Sequence, residues 1–581
     1  MQLYSKPGAQ ALFLLAVTAM HSNAQSAGDA RYYFDSVPVA GASHVPPPPG
    51  PEWVRNAVFY EIYPQSFMDS DGDGIGDLRG IIGKLDYVKS LGVDAVWLNP
   101  FYESPFRDAG YDVSDYCKVA PRYGTNDDAR ELFARAHEFG LRVIIDFVPG
   151  HTSVDHPWFK QSCEPQMNER SNWYVWTKGT WFAGMDKYRE GFIQGYCDRD
   201  GNYLSNFFWH QPALNYGYGK PDAAQSWQLP VDHPDILALR EEMKRIMRYW
   251  LDMGADGFRI DMAGSLVKND PEHRILDFWQ NVRDMLDRDY PEAFIISEWS
   301  DPAVALDSAF HADFMHWFPG YDSLWANETS FFNRSGRGDI CRFLHAYLPA
   351  RAASASSGYI SLPVGNHDLA RVNRAGRDRV DLEMIYVFQF TMPNVPFIYY
   401  GDEIGMRDLP GLTSREGSYG RSSCRTPMQW DAALPNMGFS FGGAGNLYFP
   451  VDSSSDAPCV AVQEGDSASM LNFVRRLVAL KKAHPALANH AGFVPVYAMP
   501  GRYPFVFQRE GGGERILVVI NPANERFEVV IKGELPNHNR LLFGKGVVMK
   551  RLPGETGLAV PPRTYAVYLL DIPQETGLSA E

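Results

Sequence analysis

The sequence predicts an α/β fold: a (β/α)8 TIM barrel with an inserted domain after strand 3 and a C-terminal antiparallel β-sandwich domain. Three observations carry that expectation. Eight short apolar runs alternate with mostly helical patterns between Val58 and Tyr400, as parallel strands joined by crossover helices do. Residues 149–233, rich in Trp, Tyr, Gly and Asn, make a connection far longer than a usual βα loop. From about residue 495 the helical period gives way to strands such as Ile516–Ile520 and Thr564–Leu570, which suit a separate antiparallel domain.

Taken from the amino terminus, the first segment reads as an address. Lys6, the apolar run Ala11–Met20 and the small residues Ser22-Asn23-Ala24 predict a signal peptide over residues 1–24 and export to the periplasm or the exterior. The run is too short for a membrane span. Residues 25–52, with Pro46 to Pro49 in succession, form an extended lead-in. The strands expected next are Val58–Ile62, Ala95–Leu98, Val143–Phe147, Gly257–Ile260, Phe294–Ser297, Ala312–Phe314, Tyr359–Val364 and Phe397–Tyr400. The barrel then occupies 53–148 and 234–490, with the insertion 149–233 over the carboxyl ends of the strands, where barrel active sites lie. The β domain is expected over 495–573.

Composition narrows the partners. Lys and Arg number 54 against 70 Asp and Glu, a net charge of −16, which argues against nucleic acid and against an anionic membrane. Six cysteines show no CxxC or Cys/His spacing for zinc; Cys163 and Cys197 are a candidate disulfide pair in an exported chain. The aromatic content, 14%, is high. Trp173, Tyr174, Trp176, Trp181, Phe207, Phe208 and Trp209 gather in the insertion, and Tyr and Trp faces suit the C–H faces of sugar rings.

The chemistry begins at the ends of the strands. In Gly257-Phe258-Arg259-Ile260-Asp261, residues two apart share a face, so Arg259 and Asp261 stand together. Alone, such a pair is usually a structural ion pair. Three other strands, however, also end in acid or imidazole groups: Asp146 and His151 after the third, Glu298 after the fifth, and Asn366-His367-Asp368 after the seventh. Carboxylates converging on one mouth suit a cationic transition state. Glycoside cleavage has one, with one carboxylate attacking the anomeric carbon and another protonating the departing oxygen.

The stretches Asp146-Phe-Val-Pro-Gly-His151, Gly257–Asp261, Ser297-Glu298-Trp299 and Gly365-Asn-His-Asp368 resemble, in order and position, those of the α-amylase superfamily, glycoside hydrolase family 13. Within it the chain looks most like the oligo-1,6-glucosidase, α-glucosidase and trehalose synthase group. The resemblance implies that Asp261 is the nucleophile, Glu298 the general acid/base and Asp368 the transition-state stabiliser. It implies that Arg259 holds Asp261 ionised, that His151 and His367 bind the sugar, and that Asp108 and Tyr111 close the non-reducing end. Arg425 is expected to reach Asp108 and seal the pocket, and Phe207 to offer an aromatic platform. The activity implied is exo-acting, retaining hydrolysis of short α-glucosides. Glucosyl transfer or isomerisation of the trehalose synthase type uses the same residues, and a non-catalytic glycan- or partner-binding relative is the remote alternative.

Asp69-Ser-Asp71-Gly-Asp73-Gly-Ile75-Gly-Asp77 places oxygen ligands on alternate residues, as a calcium loop does, using four carboxylates and the Ile75 carbonyl. Gly80 stands where a twelfth-position acid is usual. Similar loops in the group imply one structural Ca²⁺. Three departures from the group are Gly150 for Asn before the histidine, Ala213 for Asp, and the bulky Met262 after the nucleophile.

Overall fold

Eight parallel strands make the central sheet: β1 (Phe59–Ile62), β2 (Ala95–Leu98), β3 (Arg142–Phe147), β4 (Gly257–Ile260), β5 (Phe294–Ser297), β6 (Ala312–Phe314), β7 (Tyr359–Ser361) and β8 (Phe397–Tyr399). Pairing runs in order from β1 to β7, and β8 returns to pair with β1, so the sheet is a barrel closed except at the β7–β8 seam. The computed structural model describes residues 46–570 apart from 182–190, 308, 319, 326–328, 375 and 536–538. The expected signal peptide and the lead-in before residue 46 lie outside the described residues.

Inward-facing side chains fill the barrel. Phe59, Trp97, Ile144, Phe294, Ile296, Phe314 and Phe397 belong to one buried cluster, with Phe59 stacked on Phe397 at 4.5 Å. The interior is thus solid, and chemistry is confined to the strand ends. The helix Pro234–Met253 that re-enters the barrel after the insertion starts where His233 accepts a hydrogen bond from the Asp235 amide and Pro occupies the first turn. It stops at Gly254, whose φ of 121° is open to glycine at little steric cost.

Among its described residues the insertion has little regular structure. Its two-stranded pairing joins Phe192–Gln194 to Asn202–Leu204, and one six-residue helix, Pro157–Ser162, precedes them. A segment so poor in helix and strand needs large side chains to make a core, and the aromatics supply it: Phe159 stacks on Trp176 and meets Tyr174 and Tyr203 edge-on. Here the structure corrects the expectation for sugar stacking. Trp173, Tyr174 and Trp176 are buried in that core, whereas Trp181, Phe207 and Trp209 are exposed. All six cysteines are free, including the candidate pair Cys163 and Cys197.

At the carboxyl end, β9 (Gly492–Tyr497), β10 (Phe505–Gly511), β11 (Glu514–Asn521), β12 (Phe527–Lys532), β13 (Asn539–Gly544), β14 (Val548–Leu552), β15 (Glu555–Val560) and β16 (Thr564–Leu570) form two antiparallel sheets. The orders are β9-β10-β11-β16-β13 and β12-β15-β14. Val506, Leu517 and Val519 of one sheet meet Ile531, Leu558 and Val560 of the other in a shared core, which makes the pair a sandwich.

Candidate active site

Strand register assembles the site. Asp146 on β3 is opposite Arg259 on β4, and Arg259 is opposite Ile296 on β5. Asp261 leaves the end of β4 and Glu298 the end of β5, so one guanidinium can reach three carboxylates. Arg259 Nη1 lies 2.7 Å from Asp146 and 3.0 Å from Asp261, and Nη2 lies 2.7 Å from Glu298. Arg259 is itself buried over Trp97, 5.3 Å from the ring centroid. Removing it would leave buried acids without a counter-charge, a larger cost than losing a surface pair.

Met262, directly after Asp261, sits in the left-handed region at φ 45° and ψ 39°. A methionine there costs about 1–2 kcal/mol. That turn aims its amide at Glu298, donating to Oε2 at 3.2 Å. Backbone strain at such a point commonly marks a functional turn.

The second half of the site follows β7. His367 is enclosed, with Nδ1 2.7 Å from Glu61 Oε1 and Nε2 3.2 Å from Asp368. Burial alone would lower its pKa, but Asp368 and Glu61 outweigh burial and raise it to about 9, so the ring is charged at neutral pH. Asp368 is in turn held well below the usual carboxylate range: burial opposes this, but His367 and Arg421 prevail. Tyr111 stacks on the His367 ring and donates from its hydroxyl to Asp146 Oδ2 at 2.9 Å. His151 is the opposite case, since burial drops it to about 3 and leaves a neutral ring.

Burial and the neighbouring carboxylates push Asp261 well above its ordinary range in spite of Arg259. Glu298 is raised by burial, but Arg259 and His316 outweigh that and hold it down to about 2. Arg259 is expected to keep Asp261 ionised, and it does contact Asp261, but its guanidinium is shared among three acids rather than reserved for one.

One predicted contact is reassigned. Arg425 does not make the hydrogen bond to Asp108. It is fully buried behind Asp368, 2.9 Å from Oδ1, and its Nε donates to the His367 carbonyl at 2.7 Å. Arg421, four residues earlier at the open side of the same turn, spans the gap, 2.8 Å from Asp368 and 3.2 Å from Asp108. Both arginines are visible in Arg421-Ser-Ser-Cys-Arg425, but only the path of the turn selects between them. Asp108 also accepts from Gln211 Nε2 at 2.8 Å. Gln211 further accepts from the Phe208 amide at 2.8 Å, so it anchors the turn that carries the exposed Phe207. Phe207 packs edge-on to Phe208, which lies 5.6 Å from Tyr419.

Gly150 has a structural reason. A Cβ there would meet Asn206 Nδ2 at 2.8 Å, and that same amide lies 3.0 Å from His151 Nδ1. The polar partner absent at position 150 is therefore supplied by the insertion. The glycine itself was the signal, though it named no replacement.

The acidic loop lies after β1. Ligand oxygens of Asp69, Asp71 and Asp77 fall within 4.8 Å of one another. Asp69 accepts from the amides of Gly72 and Gly74 at 2.6 and 2.8 Å, and Gly74 turns at φ 98° against the Asn446 carbonyl, where no Cβ fits. Asp73 stands outside that cluster, exposed, its Oδ1 accepting from the Ile75 amide at 2.7 Å. A hard cation bound by oxygen suits the three clustered carboxylates of Asp69, Asp71 and Asp77.

Comparison with known proteins gives a consistent result. The family described as "Alpha amylase, catalytic domain" matches residues 61–490. The trehalose synthase/amylase TreS of Mycobacterium tuberculosis is 32% identical, over 82% of each chain. A probable alpha-glucosidase of Rhizobium meliloti is 31% identical, over 82% of this chain and 90% of its own. The crystal structure of the alpha-glucosyl transfer enzyme XgtA superposes with a TM-score of 0.72 at 26% identity, covering 89% of this chain and 99% of its own.

Proposed function

The chain belongs to the α-amylase family, and on that premise we propose that it is a retaining, exo-acting α-glucosidase of short α-linked glucosides. The supporting observation is the convergence of Asp261, Glu298 and Asp368 around Arg259, beside a pocket end where Arg421 ties Asp108 to Asp368. An end built from a buried acid and an arginine matches the terminal hydroxyls of one sugar better than a continuing chain.

In the first step Asp261 attacks the anomeric carbon while Glu298 gives its proton to the glycosidic oxygen, and the bond to the leaving sugar breaks. In the second, water gives a proton to Glu298, bonds to the same carbon and releases Asp261. The first step therefore uses the state in which Glu298 carries a proton and Asp261 is ionised. A glycosidic oxygen accepting from Glu298, and positive charge growing beside Asp261, both favour that state. Asp368 and the charged His367 grip sugar hydroxyls.

The test is proton NMR of the chain with maltose, isomaltose, kojibiose, nigerose, trehalose, sucrose and maltotriose. α-Glucose is expected as the first-formed anomer, and β-glucose appearing first would overturn double displacement. The relatives named for trehalose synthesis and for glucosyl transfer support a second reading, in which a sugar hydroxyl replaces water in the second step. A new disaccharide in place of free glucose would select it.

We further propose that the loop bearing Asp69, Asp71, Asp73 and Asp77 holds one structural Ca²⁺, which offsets repulsion among carboxylates. Ligand at about 100 times its Kd stabilises by about 2.7 kcal/mol, so a chelator is expected to lower Tm by roughly 2 °C in a chain of this size. Calorimetry with and without added Ca²⁺ checks this; a Tm unmoved by either addition rejects the site.

A further inference from the structure

The segment after β6 brings two side chains to Glu298 that the mechanism above does not use. Trp317 donates its indole N–H to Glu298 Oε1 at 3.1 Å, yet its ring is 54% exposed. His316 is buried, its Nε2 3.7 Å from the same oxygen, and neither ring nitrogen has a hydrogen-bond partner among the described residues. Exposed tryptophans are ordinary on protein surfaces. This one commits its single donor to an almost fully buried carboxylate while leaving a broad apolar face to solvent beside it.

The placement is built. Asp313 on β6 accepts from Ser297 Oγ at 2.7 Å and from the Trp299 amide at 3.1 Å. Ser300, held at φ 63°, donates to the Phe314 carbonyl at 2.9 Å and accepts from the Trp317 amide at 3.0 Å. The ends of β5 and β6 are thus stitched together around Glu298, and the same hydrogen bonds hold both the indole and the carboxylate in place. A left-handed serine and a buried acid are costly for a mere surface loop.

Resting on the reading of Glu298 as acid/base, we propose that Trp317 is the positioning residue of that acid and the platform for the sugar on the leaving-group side. Its N–H fixes Oε1, and its exposed face takes the C–H face of the departing or incoming sugar. One side chain then couples occupancy of that side to proton transfer: Glu298 releases its proton as the glycosidic bond breaks and recovers one from the acceptor hydroxyl as the new C–O bond forms. Glu298 is faced by Arg259 and Asp261 from β4, by Asp368 from the segment after β7, and by His316 and Trp317 from the segment after β6.

The experiment uses the full chain and compares maltose, whose departing oxygen needs a proton, with 2,4-dinitrophenyl α-glucoside, whose departing phenolate does not. Trp317→Phe keeps the ring and removes the donor. It is expected to lower kcat/KM on maltose about tenfold, leave kcat/KM of the dinitrophenyl glucoside, which reports the first step alone, within about twofold, and move the basic limb of kcat/KM on maltose up by about half a pH unit, because the ionised carboxylate loses a hydrogen bond. Trp317→Leu adds a rise in maltose KM of about fivefold. Equal losses on both substrates, or no loss on either, overturn the proposal. Glu298→Gln is the control on its premise: wild-type turnover of maltose in that variant removes the acid/base reading itself, whatever the Trp317 variants show.

Discussion

Asp261→Ala is expected to lose turnover of maltose-type substrates by about 10⁴-fold or more, because no other group can form the glucosyl-enzyme bond. The variant should still fold, since Arg259 keeps Asp146 and Glu298 as partners at 2.7 Å each. Given azide and α-glucosyl fluoride, it should form β-glucosyl azide. Azide enters the face vacated by the carboxylate, and fluoride leaves without an acid. Rate measurements and NMR of the azide product check this. Activity within tenfold of wild type would reject Asp261 as nucleophile, and so would an α-configured azide.

The acid/base predicts the opposite stereochemistry. Glu298→Ala is expected to lower turnover of maltose by about 10²–10⁴-fold, the usual worth of positioned proton transfer. Aryl α-glucosides with activated leaving groups should still glucosylate Asp261, and the intermediate should accumulate because water has no base. Azide then attacks the covalent intermediate and gives α-glucosyl azide. A β-azide from this variant, or equal losses on maltose and the activated glucoside, would exchange the two roles or abolish them. Together the two azide products assign the two carboxylates by stereochemistry alone.

Much of the barrel and the acids at its mouth are legible in the sequence because they obey short periods. A strand alternates faces every residue, so Arg259 and Asp261 fall together by count, and a parallel barrel places the residues after each strand at one end. The eight apolar runs coincide with the eight strands for the same reason: runs buried on both faces need no partner to be recognised. The clustering of Asp69, Asp71 and Asp77 is likewise local, set by four carboxylates and three glycines within nine residues.

What the sequence could not decide lies between segments far apart in the chain. Arg421 rather than Arg425 reaches Asp108 because the turn Tyr419–Cys424 buries the second arginine beneath Asp368, and no period reports the depth of a turn. Asn206 stands in for a side chain at position 150, across 55 residues from His151, and Trp317 reaches Glu298 only because Ser300 and Asp313 join two loops.

The sequence by itself determined the architecture and the carboxylates that gather at the barrel mouth, since both follow from local spacing. Only the tertiary structure decided which arginine reaches Asp108, which aromatics are buried and which exposed, and how one buried guanidinium is shared among three carboxylates. Those outcomes depend on distance and desolvation, which a linear pattern does not carry.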